Sequence, residues 1–209
     1  MKRKNDSYLD ETQRARLEEA LREAWGSKGA DLQEARHRLV RDRAIVFTSA
    51  YVGPRLEEIC RLNVGDVELT HQSGMLYIRQ GVKRHTSIPA AARVALQEWI
   101  DLRKGLGFSN RKDSPLFVRL RGKPGERLST RSIQSMIAEA GRRAKLKEPL
   151  SSVVLRNTCV HLLRKAGIRI ETRSYMLGRS IESEMQDSSM PNDDEITKAA
   201  RSVDNLEIA

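Results

Sequence analysis

Cysteine is scarce in this chain: Cys60 and Cys159 are the only two in 209 residues, far apart and each in an apolar helical frame. A disulfide-framed small domain is therefore excluded, and neither C-x-x-C nor Cys/His ligand spacing is present to hold a metal. Both are expected as reduced core thiols of a cytosolic protein. Long apolar runs are missing too. A membrane-spanning helix needs about 20 apolar residues, and Ala44–Phe47 falls far short of that. The opening Met1-Lys2-Arg3-Lys4-Asn5-Asp6 is positively charged but has no apolar segment behind it, so no secretory signal is expected. There is no internal repeat. The only low-hydrophobicity stretch, Ser183–Glu195, is expected to be a linker. These absences leave a cytoplasmic globular chain with no membrane partner, no cofactor and no metal.

Positive charge is what the chain has in excess. Lys and Arg number 38 against 28 Asp and Glu, for a formal net charge of +10. The calculated pI is near 9.9. A basic field of this size attracts polyphosphate whatever the fold. The charge is uneven: positions 180–209 carry eight carboxylates against Lys198 and Arg201, a net of −6, which leaves +16 on Met1–Arg179. A basic body, 1–179, is followed by an acidic tail, 180–209.

Hydrophobic spacing organises the body mainly into helices. Asp10 is expected to cap a first helix carrying Leu17, Leu21 and Trp25, with Gly26-Ser27-Lys28-Gly29 as a loop. Helix resumes near Leu32 and becomes apolar through Ala44, Ile45, Val46, Phe47 and Tyr51. Gly53-Pro54 breaks it, with Pro54 in the first turn of the next helix. Met75–Arg79 and His85–Ile88 read as short strands joined by the basic turn Gly81-Val82-Lys83-Arg84. Ala90–Leu102 is amphipathic, with Val94, Leu96, Trp99 and Ile100 as core candidates. Ser114–Val118 is a brief extended piece, and Ser129 or Thr130 caps a helix through Ile133, Met136, Ile137 and Ala140. Further helices are expected over Ser151–Lys165, Glu171–Leu177 and Glu195–Val203. The fold class is α+β, mainly helical with one small antiparallel sheet.

Two arginine frames give this outline a function. The first is Gly53-Pro54-Arg55-Leu56-Glu57-Glu58-Ile59, followed by Leu62 and Gly65-Asp66-Val67. The second is Leu155-Arg156-Asn157-Thr158, running on to Leu162-Leu163, Ala166-Gly167-Ile168 and Leu177-Gly178. Together they resemble the catalytic domain of the tyrosine recombinase (phage integrase) family over about Leu9–Leu177. The resemblance implies that Arg55 and Arg156 bind one phosphate, that Glu58 and Asp66 shape the fold, and that Lys83 matches a hairpin lysine acting as general acid. It also implies a partner, double-stranded DNA, and no small-molecule substrate. Complete recombinases carry a separate helical core-binding domain before this one, and 1–179 is expected to work without it.

The family's remaining chemistry is not matched. Its chemistry is electrostatic stabilisation of a phosphorane with covalent attack by a tyrosine. Val153 stands where the resemblance puts the first histidine, and Arg179 where it puts a second ring. The nucleophile's position falls on Ser188, and no tyrosine follows Tyr175. Tyr175 is expected as a packed aromatic between Ile170 and Leu177, and Ser188 and Ser189 lack an activating base. The expected function is a catalytically inactive, sequence-dependent DNA-binding protein, a transcriptional regulator or an accessory or architectural factor on a mobile element. The alternative is an active recombinase with a non-standard or partner-supplied nucleophile. Arg55, Lys83, Arg84, Arg131, Arg156 and Arg179 are the expected DNA contacts, because guanidinium binds phosphate bidentately and stays charged. Arg119, Arg121, Lys123, Arg127, Arg142, Arg143, Lys145 and Lys147 extend the basic run. The acidic tail is expected to compete with DNA for the basic groove, to join two copies as a homodimer through Ile196, Ala199, Ala200 and Val203, or to stay solvated.

Overall fold

A computed structural model describes residues 7–22 and 30–182. Trp25, the loop at 26–29, Ser188, Ser189, the linker at 183–195 and the last expected helix lie outside the described residues.

Helix α1 (Glu11–Ala20) begins as its sequence requires. Asp10 accepts from the Gln13 N–H at 2.8 Å, and the Gln13 side chain reciprocates to the Asp10 N–H at 3.0 Å. This capping box satisfies two N–H groups that the first turn leaves without partners. Just before it, the Leu9 N–H donates to the Thr158 hydroxyl at 2.9 Å, 149 positions away in sequence. The start of the described chain is thereby tied to the second arginine frame.

Helix α2 (Ala30–Phe47) carries Ala44, Ile45 and Val46 into the centre of the core. It runs directly into a π-helical turn, Thr48–Val52, which ends at Gly53 with φ +74°. That left-handed conformation suits glycine. A Cβ on Gly53 would also lie 2.9 Å from both Cys159 Sγ and a Leu177 methyl, so no larger residue fits. Helix α3 (Leu56–Arg61) follows with Arg55 as its N-cap. Pro54 therefore precedes the cap and is not in the first helical turn; its fixed φ delivers the chain to Arg55 in an extended conformation.

A 3-10 turn (Val64–Asp66) leads to a three-stranded antiparallel sheet in the order β1 (Val67–Leu69), β2 (Gly74–Ile78), β3 (Arg84–Ser87). Asp66 shapes this entry. It accepts from the Asn63 N–H at 2.9 Å and from Arg79 at 2.6 Å. Helix α4 (Ala90–Gly105) buries Ala92, Ala95, Leu96, Trp99 and Arg103 along one face. Val94 lies off that face and is 55% exposed, so it is not a core residue. The fully buried Arg103 donates to Pro115 O and the Asn110 side chain, both at 2.9 Å, pinning the segment after α4. Trp99 donates to Leu116 O at 2.9 Å.

Helices α5 (Thr130–Arg143), α6 (Ser152–Lys165) and α7 (Ile170–Leu177) complete the fold. Ser129 and Ser151 cap the first two. The core is continuous from Leu9 to Leu155, and α6 packs on the π-helical turn. Cys159 is buried and Cys60 partly so; neither forms a disulfide. No described helix is long and apolar enough to cross a membrane.

Candidate nucleic-acid interface

The π turn, α6 and α7 meet where the two arginine frames were read. Arg55 sits in the N-cap position of α3. Its N–H donates to Glu58 at 2.7 Å, and its guanidinium pairs with the same carboxylate at 3.3 Å. Arg156, one turn into α6, reaches back to the Gly53 carbonyl. Gly53 is thus the hinge between the frames: its backbone approach to Cys159 delivers a carbonyl that Arg156 grips.

Three guanidiniums gather on the C-terminal end of α7. Arg84 donates to Met176 O at 2.9 Å, Arg156 to Leu177 O at 2.6 Å, and Arg55 to Gly178 O at 2.5 Å. The last carbonyls of a helix have no intrahelical donors and carry the negative end of its dipole, so cations belong there. Each arginine thereby brings a different part of the chain, β3, α6 and the start of α3, to one point. A guanidinium has five N–H donors, and Arg156 uses one on Gly53 and one on Leu177. Donors remain for an external anion.

Electrostatics favour such an anion. Burial first, and then the neighbouring positive charges of Arg55, Arg179 and Arg84, push Arg156 down to about 10, with Glu58 pulling the other way. Arg156 stays charged at neutral pH but sits among cations that a phosphate would neutralise. Glu58 is the counterweight. Burial alone would raise its carboxyl, but hydrogen bonds from Arg84 and the Arg55 N–H, with both positive charges, hold it below the usual carboxylate range.

Arg84 corrects an expectation. It was read as a DNA contact in the hairpin turn, yet it is the first residue of β3 and its side chain is only 1% exposed. Both its terminal nitrogens bind Glu58, at 2.9 and 2.8 Å. Gly178, with φ +59°, leaves space for it: a Cβ there would lie 2.7 Å from Arg84 Nη1. Arg84 is a structural partner of Glu58, buried against the C-terminal end of α7. Lys83, one residue earlier, is exposed at the hairpin. Arg179 is half-buried and close enough to lower Arg156, so it joins the cluster.

Tyr175 also departs from expectation. It is 49% exposed and not packed between Ile170 and Leu177. Its hydroxyl lies 3.1 Å from His85 Nδ1, because α7 turns Ser174 and Leu177 inward and leaves position 175 facing the hairpin. Val153, in the place of a ring, is half-exposed in the first turn of α6.

Arg131 lies elsewhere. It is exposed in the first turn of α5 and lines a cleft of about 430 Å³ with Arg38, Arg41, Arg119 and Arg121. Two of these are engaged within the fold: Arg41 binds Asp42 at 2.8 Å and Val118 O at 3.1 Å, and Arg121 pairs with Glu34. Arg38 and Arg41 escaped sequence reasoning. The signal for Arg41 was its position four residues before Ile45, on the buried stripe of α2. Arg127 leaves the basic run altogether, since it donates to the carbonyls of Cys60 and Leu62 at 2.9 and 2.8 Å. Among the described residues no His/Cys/Asp/Glu group is arranged to hold a metal ion.

The helix-rich fold with its small antiparallel sheet is that of tyrosine recombinase catalytic domains. A crystal structure of XerA recombinase superimposes with a TM-score of 0.72 at 26% identity, covering 96% of this chain and 65% of that one. XerH recombinase bound to its difH substrate shares the fold at a TM-score of 0.70 and 18% identity, over 93% of this chain and 53% of that one. Tyrosine recombinase XerC of Haemophilus ducreyi is 32% identical over 147 residues, or 70% of this chain and 46% of that protein. The phage integrase family profile matches residues 13–186, and the chain belongs to this family. It spans about half the length of the curated relatives it matches.

Proposed function

We propose that this chain binds double-stranded DNA through the Arg55–Arg156–Arg179 cluster and has lost the capacity to cut it. The observation that carries the reading is the pairing of a concentrated, partly buried cationic cluster with a serine, Ser188, at the position the resemblance gives to the nucleophilic tyrosine. Binding a phosphodiester needs charge and donors, which the three arginines supply. Cleaving it by the family's route also needs a nucleophile and proton-transfer groups. Here Val153 and Arg179 stand in place of rings, and Ser188 in place of the tyrosine. Arg179 adds a permanent cation, which favours a bound phosphate without moving a proton. The role is that of a transcriptional regulator or an accessory factor in recombination on a mobile element.

A second reading rests on the relatives, which are named tyrosine recombinases. In it the chain is an active recombinase using Ser188 or a tyrosine from a partner protein. A nicked suicide substrate separates the two. The first reading expects no denaturant-stable protein–DNA adduct and no strand exchange on a supercoiled plasmid, whereas an adduct mapped to Ser188 establishes the second. For the acidic segment 180–209 we propose docking on a second copy. Truncation after Arg179 then converts a dimer to a monomer; tighter DNA binding at unchanged mass would instead mark competition for the basic groove.

A further inference from the structure

Aromatic residues make up 4% of the chain, and two of its four tyrosines lie on one small surface. A cleft of about 410 Å³ opens between the β2–β3 hairpin and α7, lined by Tyr77, Arg79, Lys83, His85 and Tyr175, with Arg84 among its walls. The rings follow one another. Tyr77 and His85 are 6.1 Å apart between centroids, and His85 meets Tyr175 edge-on at 5.7 Å. The hydroxyl of Tyr77 is held by Glu68 at 2.9 Å, and that of Tyr175 lies 3.1 Å from Nδ1 of His85 within the same cleft. Arg79 stands 5.4 Å over the Tyr77 ring while its Nε is held by Asp66. Among the described residues no carboxylate pairs with Lys83.

We propose that this cleft binds one unpaired nucleotide of a DNA strand, the base stacking on the exposed Tyr175 ring and its phosphate meeting Lys83 and Arg79. The chemistry narrows the ligand. Half-exposed rings beside cations bind a π-face joined to an anion, the combination used by single-strand binding surfaces. A base inside a duplex has both faces covered by its neighbours, so only an unstacked one can use the ring. The cleft volume lies toward the lower end of ligand pockets, about 300–1,000 Å³, and suits a single nucleotide. Its position fits too. Arg84 forms one wall and on its other side holds Glu58, the carboxylate of the clamp, so the cleft and the arginine cluster share one residue. A strand held at Arg55 and Arg156 passes close to Tyr175 on the helix whose end they cap.

The placement beside the clamp rests on the DNA-binding reading, but base recognition is measured separately. The experiment compares fluorescence anisotropy of labelled 12-nucleotide oligo-dT with an abasic strand of equal length and charge. The intact protein is expected to favour oligo-dT by about 5- to 100-fold, the range for stacking one base. Tyr175→Ala should remove most of that preference and Tyr175→Phe should keep it, with circular dichroism unchanged in both. Equal affinity of the intact protein for both strands overturns the proposal, as does a preference that survives Tyr175→Ala. Arg55→Ala, measured on duplex DNA and on oligo-dT, keeps the two readings apart: lost duplex binding with retained base preference supports both.

Discussion

Arg84 closes both ends of its guanidinium on Glu58, at 2.9 and 2.8 Å, in a position where only 1% of the arginine side chain meets solvent. Glu58 in turn accepts the N–H of Arg55, so the exposed arginine of the clamp is oriented by a buried one. Removing one member of a buried pair strands the other charge, which costs about 3–5 kcal/mol. Arg84→Ala is expected to destabilise the protein by that amount in urea denaturation. The double variant Arg84→Met/Glu58→Leu should recover part of the loss, because neither buried charge of that pair is left alone, while the half-exposed Arg55 loses its carboxylate.

Glu58 also sets an acid limit. Burial is outweighed by hydrogen bonds and charge from Arg84 and Arg55, which hold its carboxyl below the usual carboxylate range, so the ionised form is favoured by folding. That contribution is complete above about pH 4.5 and disappears as pH falls through the lowered folded value. Glu58→Gln should therefore be clearly less stable than the parent at pH 7, and the gap between their denaturation midpoints should narrow as the solution is acidified through the lowered Glu58 value.

Duplex binding should be dominated by phosphate. Neutralising about 6 to 10 phosphates lowers affinity by about 10³- to 10⁵-fold between 50 and 200 mM salt. A titration series by gel shift or anisotropy measures the slope, and a flat response would remove the electrostatic reading.

The two clamp arginines should differ in what else they cost. Arg55→Ala and Arg156→Ala are each expected to weaken duplex binding by about 1–3 kcal/mol. Arg55 is 42% exposed and its variant should fold normally. Arg156 also grips Gly53 and Leu177, so its alanine variant should melt lower as well. Arg156→Lys keeps the charge but loses the fork that reaches both carbonyls. It should recover less than half of either effect.

Asp10→Ala tests the start of the fold. Losing the capping box should cost about 0.5–2 kcal/mol. The effect should appear in global unfolding, since Leu9 beside it is bonded to Thr158 on α6.

Most of this architecture was legible from spacing. The caps at Asp10 and Ser129, the strands around Leu76 and Thr86 and the apolar faces of α4 and α5 follow from local chemistry that a linear reading captures. The Arg55 and Arg156 frames stand out because their flanking glycines and leucines are recognisable, and the fold brings both side chains to the end of α7. What escaped was direction. Lys83 and Arg84 are adjacent and both basic, and the sequence offers no sign that β3 begins between them, leaving one exposed in the turn and the other beneath α7. Tyr175 was misplaced for a similar reason: Ile170 and Leu177 mark an apolar helix, but only the position of β3 reveals that His85 waits opposite. Arg127 and Arg103 look like surface charge until the carbonyls they satisfy are brought near by loops.

The π-helical turn at Thr48–Val52 is one residue longer than an α-helical path through the same space, and such a turn behaves as a single inserted residue within a helix. Each residue of an α-helix advances the chain by about 100°. Deleting one position from this segment would restore regular winding but turn the Gly53 carbonyl away from Arg156 and swing Arg55 off the end of α7. The deletion shortens the helix by a single step and removes no arginine, and yet it disassembles the cluster. Loss of one codon here would therefore be as damaging to the cluster as loss of an arginine, and restoring the length with any small residue should bring it back.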